Sequence, residues 1–241
     1  TAAEATRRAD VVISSQADDQ ALRAVYLDDD GVCAGLRPGV VVADTSTVDP
    51  ETSIAIGEQV DRTGAGFLDS PVSGSVSTVE SGALTVMVGG DTDLLDRIRP
   101  VLDPIAARII HIGPRGTGAA AKLAVNGLVH GLNVALSEAL VLAERAGVDR
   151  ATAYEVFAGG AGGAPFVHYK REAYEHPEEA QVAFSLDLVA KDLELITGLA
   201  ERVGAPMAQA RVGLETVRRA IDAGFGQADL SAIAEFLRKE Q

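Results

Sequence analysis

The sequence is poor in residues that would indicate a secreted, metal-binding or nucleic-acid-binding protein. Its 241 residues include one cysteine, no tryptophan and four histidines. The single Cys33 excludes an intrachain disulfide and a cysteine-rich metal site, and it favours a reducing, cytoplasmic setting. Positive charge is also scarce, because 21 Lys and Arg oppose 35 Asp and Glu for a net charge of −14. We therefore expect neither nucleic acid nor an anionic membrane surface as a partner.

An uninterrupted apolar run long enough to cross a bilayer is also lacking. The most apolar stretch, residues 123–143, contains Asn126, His130 and other polar residues, so we expect no membrane span. The chain opens at Thr1 within a helical pattern, and we expect further sequence upstream of it. At 47% hydrophobic and 23% charged residues, the composition is that of a folded globular protein.

The first half of the chain alternates short apolar runs with helical patterns. Strands separated by helices predict an α/β domain with a doubly wound, mostly parallel (Rossmann-like) sheet. Because the apolar runs are continuous, we expect these strands to be buried on both faces. The predicted strands are 11–13, 40–44, 67–69, 84–88 and 108–112, and the predicted helices include 18–27, 51–62 and 92–102.

The second half has helical patterns and no convincing strand. A long interdomain helix is predicted over 117–146, and it is followed by further helical patterns up to residue 239. The sequence therefore predicts a partial Rossmann-like domain, residues 1–113, followed by an all-α C-terminal domain, residues 114–241. Apolar residues on more than one helical face predict burial against further copies of the chain, in a homodimer or homotetramer.

Polar residues of the long helix recur three or four positions apart and so share one face. They are Lys122, Asn126, His130, Asn133 and Ser137. A solvated face usually carries several charged residues, so the pattern favours a lined cleft, with a solvent-facing stripe as the alternative. A lysine in such a cleft could exchange a proton near neutral pH, and Asn126 could hold it or a substrate hydroxyl in place.

A second polar group follows the predicted strand 67–69. Ser73, Gly74 and Ser75 lie just beyond its end, where doubly wound sheets bind ligands through hydroxyl and backbone N–H groups. On spacing alone, an ordinary turn explains the same residues. The run 42–47 also ends in hydroxyls, which could equally cap the next helix.

Four blocks of sequence together resemble the β-hydroxyacid dehydrogenases, the family of 3-hydroxyisobutyrate dehydrogenase. They are DSPVSGS at 69–75, GALTVMVGG at 82–90, GTGAAAKLAVN at 116–126 and KDL at 191–193. The likeness covers essentially the whole chain in order. The resemblance implies an enzyme that transfers a hydride between NAD or NADP and a small 3-hydroxy acid, without a metal ion.

The resemblance also implies roles for individual residues. Lys122 resembles the catalytic general acid and base of the family, and Asn126 its neighbour at the substrate. Ser73, Gly74 and Ser75 match the loop that binds the substrate carboxylate. Here Ser75 replaces a usual glycine, and the residue after Asn126 is not the second asparagine of the family.

On the cofactor side, the resemblance implies four contacts. Thr47 lies where the family contacts the nicotinamide half of the dinucleotide, and Lys191 matches a late cofactor-side lysine. Gln16 and Ala17 occupy the place of a Leu-Pro pair beside the cofactor. The G-x-G-x-x-G turn that binds the pyrophosphate has no counterpart in the chain, so we expect the sheet to be incomplete and an upstream segment to supply that turn.

Two alternative functions stay open. Imine reductases share the architecture, but they usually have Asp or Tyr where Lys122 stands. A truncated chain could instead be a non-catalytic module that dimerises or binds a small acid. 6-Phosphogluconate dehydrogenases are more distant by the same resemblance, because their helical half is larger.

Overall fold

The protein is described by a computed structural model that covers residues 1–74 and 76–240. The chain divides into two compact units, Thr1–Val125 and Asn126–Gln241. This division falls inside one continuous helix, α7 (Thr117–Arg145), so α7 contributes residues to both units. The domain ranges inferred from sequence, 1–113 and 114–241, stay a prediction.

The first unit is built on a mixed sheet. Its strands are β1 (Val11–Ser14), β2 (Val41–Asp44), β3 (Gly66–Asp69), β4 (Val72–Ser73), β5 (Leu84–Gly89) and β6 (Ala106–Gly113). β1, β2 and β3 run parallel, and β5 runs parallel to β6. β5 is antiparallel to β3 and β4. The predicted mostly parallel, Rossmann-like sheet is confirmed, and the antiparallel pairing of β4 with β5 is an addition to it.

Helices flank the strands of this unit. They are α1 (Ala2–Thr6), α2 (Asp19–Leu27), α3 (Val32–Gly35), α4 (Pro50–Asp61), α5 (Val76–Glu80) and α6 (Thr92–Leu102). α4 begins where the sequence predicts, because the Asp49 side chain accepts a hydrogen bond from the backbone N–H of Glu51 and Pro50 supplies a preset φ. Asp18 and Asp91 cap α2 and α6 in the same way.

Alternate strand residues build two separate apolar clusters in this unit. Val42 and Phe67 pack in one cluster with residues of α2 and α4, whereas Val41 and Leu68 pack in the other with residues of α6. Successive side chains of a strand point to opposite faces, so helices cover both faces of the sheet. The expectation that every strand is buried is wrong for β6, where five of eight residues are exposed because β6 lies at the end of the sheet beside β5.

The second unit is helical, as predicted. Besides the rest of α7 it contains α8 (Arg150–Gly159), α9 (Pro165–Tyr169), α10 (Arg171–Glu175), α11 (Leu186–Val203), α12 (Ala208–Ala220) and α13 (Ile233–Lys239). α11 begins at the Ser185 cap and ends at Gly204, whose φ of 69° suits glycine. A π-helical turn, Ile221–Phe225, extends α12.

A buried ion pair joins distant parts of the second unit. Lys170 Nζ lies 2.9 and 2.8 Å from the two carboxylate oxygens of Asp229. Asp229 also accepts hydrogen bonds from the backbone N–H of Ala183 and the hydroxyl of Ser231. Burial opposes ionisation of this carboxyl, but the Lys170 ammonium and these donors hold the pKa of Asp229 below its ordinary value.

Within residues 1–74 and 76–240, α7 is the one helix whose length and composition would allow it to cross a membrane. Its most apolar window has a mean hydropathy of 1.3, and half of that window is buried inside the structure. The core helix of a globular protein meets the same test, so the property gives only weak support for a membrane span.

Candidate active site

The carboxyl ends of the parallel strands bring two acidic side chains together. Ser14, Asp44 and Asp69 occupy adjacent register positions at the ends of β1, β2 and β3. Both carboxylates are 1% exposed. Doubly wound sheets bind ligands at this edge, beyond the carboxyl ends of their strands. The chemistry available there therefore depends on the hydrogen-bond partners of each carboxylate.

The Asp44 carboxylate is held by hydroxyl groups. Its Oδ1 accepts hydrogen bonds from Ser14 Oγ at 2.7 Å and from Ser46 Oγ at 2.8 Å, and Ser14 Oγ lies 2.5 Å from Tyr26 Oη. Its Oδ2 is buried and has no hydrogen-bond partner among the described residues. Burial raises the pKa of Asp44 to about 6; the Ser14 and Ser46 hydroxyls oppose this shift and nearby Asp69 adds to it.

The same network joins two loops that carry predicted cofactor contacts. The backbone N–H of Gln16 donates to Ser46 Oγ at 2.8 Å, and Thr45 Oγ1 donates to the backbone oxygen of Ser14 at 2.8 Å. The loop with Gln16 and Ala17 is therefore held beside the loop that contains Thr47. These three predicted residues lie at one edge of the sheet, which the spacing of the sequence did not show.

The Asp69 carboxylate is held by the start of α7. Its Oδ1 accepts from the backbone N–H of Gly116 and its Oδ2 from that of Ala119, each at 2.8 Å. Burial raises the pKa of Asp69, and these N–H groups oppose the shift. A Cβ at Gly118 would lie 2.6 Å from the Asp69 backbone oxygen, and one at Gly89 would lie 2.5 Å from Asp69 Oδ1. Three of the four sequence blocks that resemble the family, 69–75, 82–90 and 116–126, thus contact one another here.

The predicted substrate loop begins as a strand. Ser73 is the second residue of β4 and pairs with Thr85 of β5. Gly74 follows with φ of 145°, where a side chain would be strained and its Cβ would lie 2.7 Å from Leu84 Cδ2. Ser75 lies outside the described residues. Lys122 is half-buried in the second turn of α7, within the same unit as Ser73.

In the second unit, a buried carboxylate gathers several of the predicted residues. Asp192 is fully buried, and its Oδ2 accepts from Asn126 Nδ2 at 2.5 Å and lies 3.3 Å from His130 Nε2. Lys191 Nζ lies 2.8 Å from its Oδ1. Burial opposes ionisation, but the contacts with His130 and Lys191 lower the pKa of Asp192 below its ordinary value.

The Asp192 contact orients the Asn126 amide. Because a carboxylate can only accept, the NH₂ group of Asn126 must face it, and the amide oxygen of Asn126 is left as an acceptor for other groups. The sequence predicted no role for Asp192 or Asp69. Asp69 opens the block 69–75 that contains Ser73, and Asp192 follows Lys191 in the block 191–193, so their position in these blocks could have indicated that they are functional.

The expectation of a lined cleft is wrong for the last two members of the polar stripe. Asn133 Nδ2 donates to the backbone oxygen of Leu230 at 2.9 Å, and its Oδ1 accepts from Tyr174 Oη at 2.5 Å. Ser137 Oγ donates to the backbone oxygen of Asn133. Both side chains are fully buried in the second unit, where protein groups replace water as their partners.

The described residues hold no cluster of three or more His, Cys, Asp or Glu side chains that could bind a metal ion.

Two family models match the chain in consecutive ranges. The model described as the NAD binding domain of 6-phosphogluconate dehydrogenase matches residues 1–113. The model described as NAD-binding of NADP-dependent 3-hydroxyisobutyrate dehydrogenase matches residues 116–237. Together they cover nearly the whole chain.

Comparison with individual proteins indicates the same family. The chain is 31% identical to the NAD-dependent L-serine dehydrogenase of Pseudomonas aeruginosa, across all of this chain and 83% of that protein. It superimposes on 3-hydroxyisobutyrate dehydrogenase from Salmonella typhimurium with a TM-score of 0.92 at 27% identity, over 98% of this chain and 82% of that one. A Mycobacterium tuberculosis 3-hydroxyisobutyrate dehydrogenase structure with L-serine gives 0.84 at 32% identity, over 99% and 82%.

Imine reductases are more distant. One from a Pseudomonas species has a TM-score of 0.59 at 19% identity, over 98% of this chain and 82% of that one. At this identity the likeness shows a shared fold and nothing finer.

Proposed function

We propose that this chain, which belongs to the family of NAD(P)-dependent hydroxyacid dehydrogenases that includes 3-hydroxyisobutyrate dehydrogenase, oxidises a small 3-hydroxy acid reversibly. The observation that carries the proposal lies in the first unit. There Asp69 joins the start of the serine-containing segment to the start of the helix that bears Lys122. Asp69 thus links the two segments to which we assign binding of the substrate carboxylate and transfer of the proton.

Lys122 is assigned the proton transfer. In the direction of oxidation, the carbinol carbon loses a hydride and its hydroxyl loses a proton, and the Lys122 amine takes that proton as the carbonyl forms. In the direction of reduction, the Lys122 ammonium returns it. A positioned general acid and base typically accelerates such a step by about 10²- to 10⁴-fold.

Substrate binding is assigned to Ser73, Gly74, Ser75 and Asn126. The pairing of Ser73 with Thr85 supports the first assignment, because it fixes the backbone from which the Ser73 hydroxyl extends. The Asp192 contact supports the last, because it leaves the Asn126 amide oxygen to accept the substrate hydroxyl. Serine and 3-hydroxyisobutyrate, named for the relatives, both carry a hydroxyl on the carbon β to a carboxylate, and this is the substrate class that we propose.

The residues at the carboxyl edge suit a nicotinamide dinucleotide. Two buried polar atoms there, Asp44 Oδ2 and Ser70 Oγ, have no partner among the described residues, and the adjoining loops are already held together. Gln16, Ala17 and Thr47 would contact the cofactor, and Lys191 is the fourth proposed contact. When bound, the nicotinamide accepts or returns the hydride. Both NAD and NADP fit this proposal.

The proposed chemistry is tested by Lys122→Ala. We expect kcat for a 3-hydroxy acid, followed by absorbance of NADH or NADPH, to fall about 10²- to 10⁴-fold while the cofactor Kd is retained. Lys239→Ala, which removes an exposed lysine of α13, is the matched control. A Lys122→Ala variant that keeps turnover within about tenfold would refute the general acid and base role.

Two further measurements separate the alternatives. A panel of 3-hydroxy acids and cyclic imines distinguishes a dehydrogenase from an imine reductase. Titration with NADH and NADPH, followed by cofactor fluorescence, distinguishes both from a non-catalytic module. A cytoplasmic location and a homodimer or homotetramer remain predictions, and the exposed Leu128 and Leu142 of α7 support the second of these.

A further inference from the structure

We propose that Asp69 is a positioning residue for the reaction: it fixes the first turn of α7, and thereby Lys122, relative to the strand from which the serine segment leaves. The inference rests on the proposed function for the role of Lys122. It assigns to Asp69 no contact with substrate or cofactor. Its action is mechanical, through the backbone of α7.

The first step is the pattern of hydrogen bonds. The N–H groups at a helix start have no partner within the helix, and a side-chain oxygen usually satisfies one of them. The Asp69 carboxylate accepts hydrogen bonds from two such N–H groups, that of Gly116 with one oxygen and that of Ala119 with the other. Because the two N–H groups lie on successive parts of one turn, both the position and the rotation of that turn are fixed. The positive end of the helix dipole also favours the Asp69 carboxylate.

The second step is the absence of free space around this junction. A Cβ at Gly118 would lie 2.6 Å from the backbone oxygen of Asp69 and 2.7 Å from that of Met87. A Cβ at Gly89 would lie 2.5 Å from Asp69 Oδ1. The first turn of α7 therefore packs directly on the ends of β3 and β5, and it cannot slide along them without breaking the hydrogen bonds.

The third step connects the junction to the two assigned groups. Lys122 follows Ala119 by about one turn of a continuous helix, so any tilt of the first turn moves its amine. In the other direction, Asp69 ends β3 and Ser73 follows it on β4, which β5 holds by pairing. Asp69 thus sets the position of the amine relative to the hydroxyl, and a displacement of about 1 Å in such a pair can lower turnover about 10²-fold.

Asp69→Asn tests the inference with little change in shape. The amide keeps one accepting oxygen, but it presents an NH₂ donor to the second backbone N–H and removes the negative charge. We expect kcat to fall about 10- to 100-fold, with the Kd for NADH changed by less than about twofold. We also expect faster amide hydrogen exchange in residues 114–123. Asp44→Asn is the matched control for exchange, because Asp44 is equally buried at the same register but contacts hydroxyls instead of α7.

A double-mutant cycle separates positioning of Lys122 from a general loss of structure. If Asp69 acts through Lys122, adding Asp69→Asn to Lys122→Ala lowers kcat by less than about twofold further. A full 10- to 100-fold further loss, or unchanged exchange in residues 114–123 of Asp69→Asn, would overturn the inference. If Lys122→Ala alone keeps its turnover, the proposed function of the lysine fails, and the exchange result still decides whether Asp69 holds α7.

A second variant covers the case in which Asp69→Asn does not fold. Gly118→Ala keeps the carboxylate and displaces the same turn from the helix side, because the new Cβ cannot fit beside the Asp69 backbone oxygen. We expect the same fall in kcat with a retained Kd for NADH. Gly213→Ala, at a buried helical glycine whose Cβ would have ordinary contacts, is the control. Wild-type kcat in Gly118→Ala would contradict the inference.

Discussion

Asp44 is expected to make the protein less stable as the pH rises from 5 to 7.5. Burial raises the pKa of this carboxyl from its ordinary value of 3.8 to about 6 in the folded state. In the unfolded chain the same group ionises near its ordinary value. Between these two values the folded state binds the proton more tightly than the unfolded state does. The stabilising contribution is therefore complete below the unfolded pKa and is lost as the pH rises through the folded pKa.

The size of the effect follows from the shift. A change of about two pKa units corresponds to about 3 kcal/mol in total, at about 1.36 kcal/mol for each unit. About half of this loss of stability takes place below pH 5, which leaves about 1.5 kcal/mol to be lost between pH 5 and 7.5. Asp44→Asn has the shape of the protonated acid and stays neutral. Its free energy of unfolding, relative to the wild type, should therefore rise by about 1.5 kcal/mol over that range.

Urea denaturation at several pH values, followed by circular dichroism, measures this difference. Asp29→Asn is the control, because it makes the same change from carboxyl to amide at an exposed position of the same unit. If the difference between Asp44→Asn and the wild type is the same at pH 5 and pH 7.5, the Asp44 carboxyl is not held protonated by burial and the reasoning is wrong.

Two further predictions concern other buried groups. Asp229→Ala leaves the Lys170 ammonium buried without its carboxylate, so we expect a loss of about 3–5 kcal/mol in the free energy of unfolding, and an unchanged urea midpoint would contradict the ion pair. Burial raises the pKa of the Cys33 thiol, so alkylation by iodoacetamide at pH 7.5 should be slow in the folded protein and fast after unfolding; equal rates in the two states would contradict this.

The sequence predicted those parts of the fold that are determined by residues close to one another in the chain. Helix α4 starts at Pro50 because Asp49 and Pro50 act on the backbone within two residues of themselves. Helix α6 has the predicted bounds of 92–102 for the same reason, since Asp91 caps it. The strands with short apolar runs, such as Val41–Asp44, were predicted to within a residue or two.

Features that depend on distant partners could not be predicted. The pairing of Ser73 with Thr85 requires a strand that follows later in the chain, so the residues around Ser73 predicted only a ligand-binding loop or an ordinary turn. The polar stripe on α7 predicts a cleft, but Asn133 instead donates to the backbone oxygen of Leu230. The spacing of the stripe could not reveal this distant partner. Helical periodicity indicates which residues share a face, and it carries no information on what covers that face.

Two buried acidic residues, one in each unit, also have partners that the sequence did not predict. Asp69 opens the motif at 69–75, but its partners Gly116 and Ala119 are 47 and 50 residues away in the chain. Asp192 follows Lys191 directly, and a pair of opposite charges on a helix is usually a surface feature, so only the structure reveals that Asp192 is buried. The sequence motifs thus contain both carboxyl groups, whereas the burial and the hydrogen-bond partners of these groups are visible only in the structure.

The antiparallel ladder of β4 with β5 has a practical consequence for redesign of the proposed substrate loop. Alternate residues of a strand point to opposite faces, so inserting or deleting one residue between Pro71 and Ser73 would turn the Ser73 hydroxyl to the other side of the sheet. Libraries that alter the chemistry of these side chains at constant length preserve the register. Libraries that alter length should place the change after Gly74, where the ladder has ended.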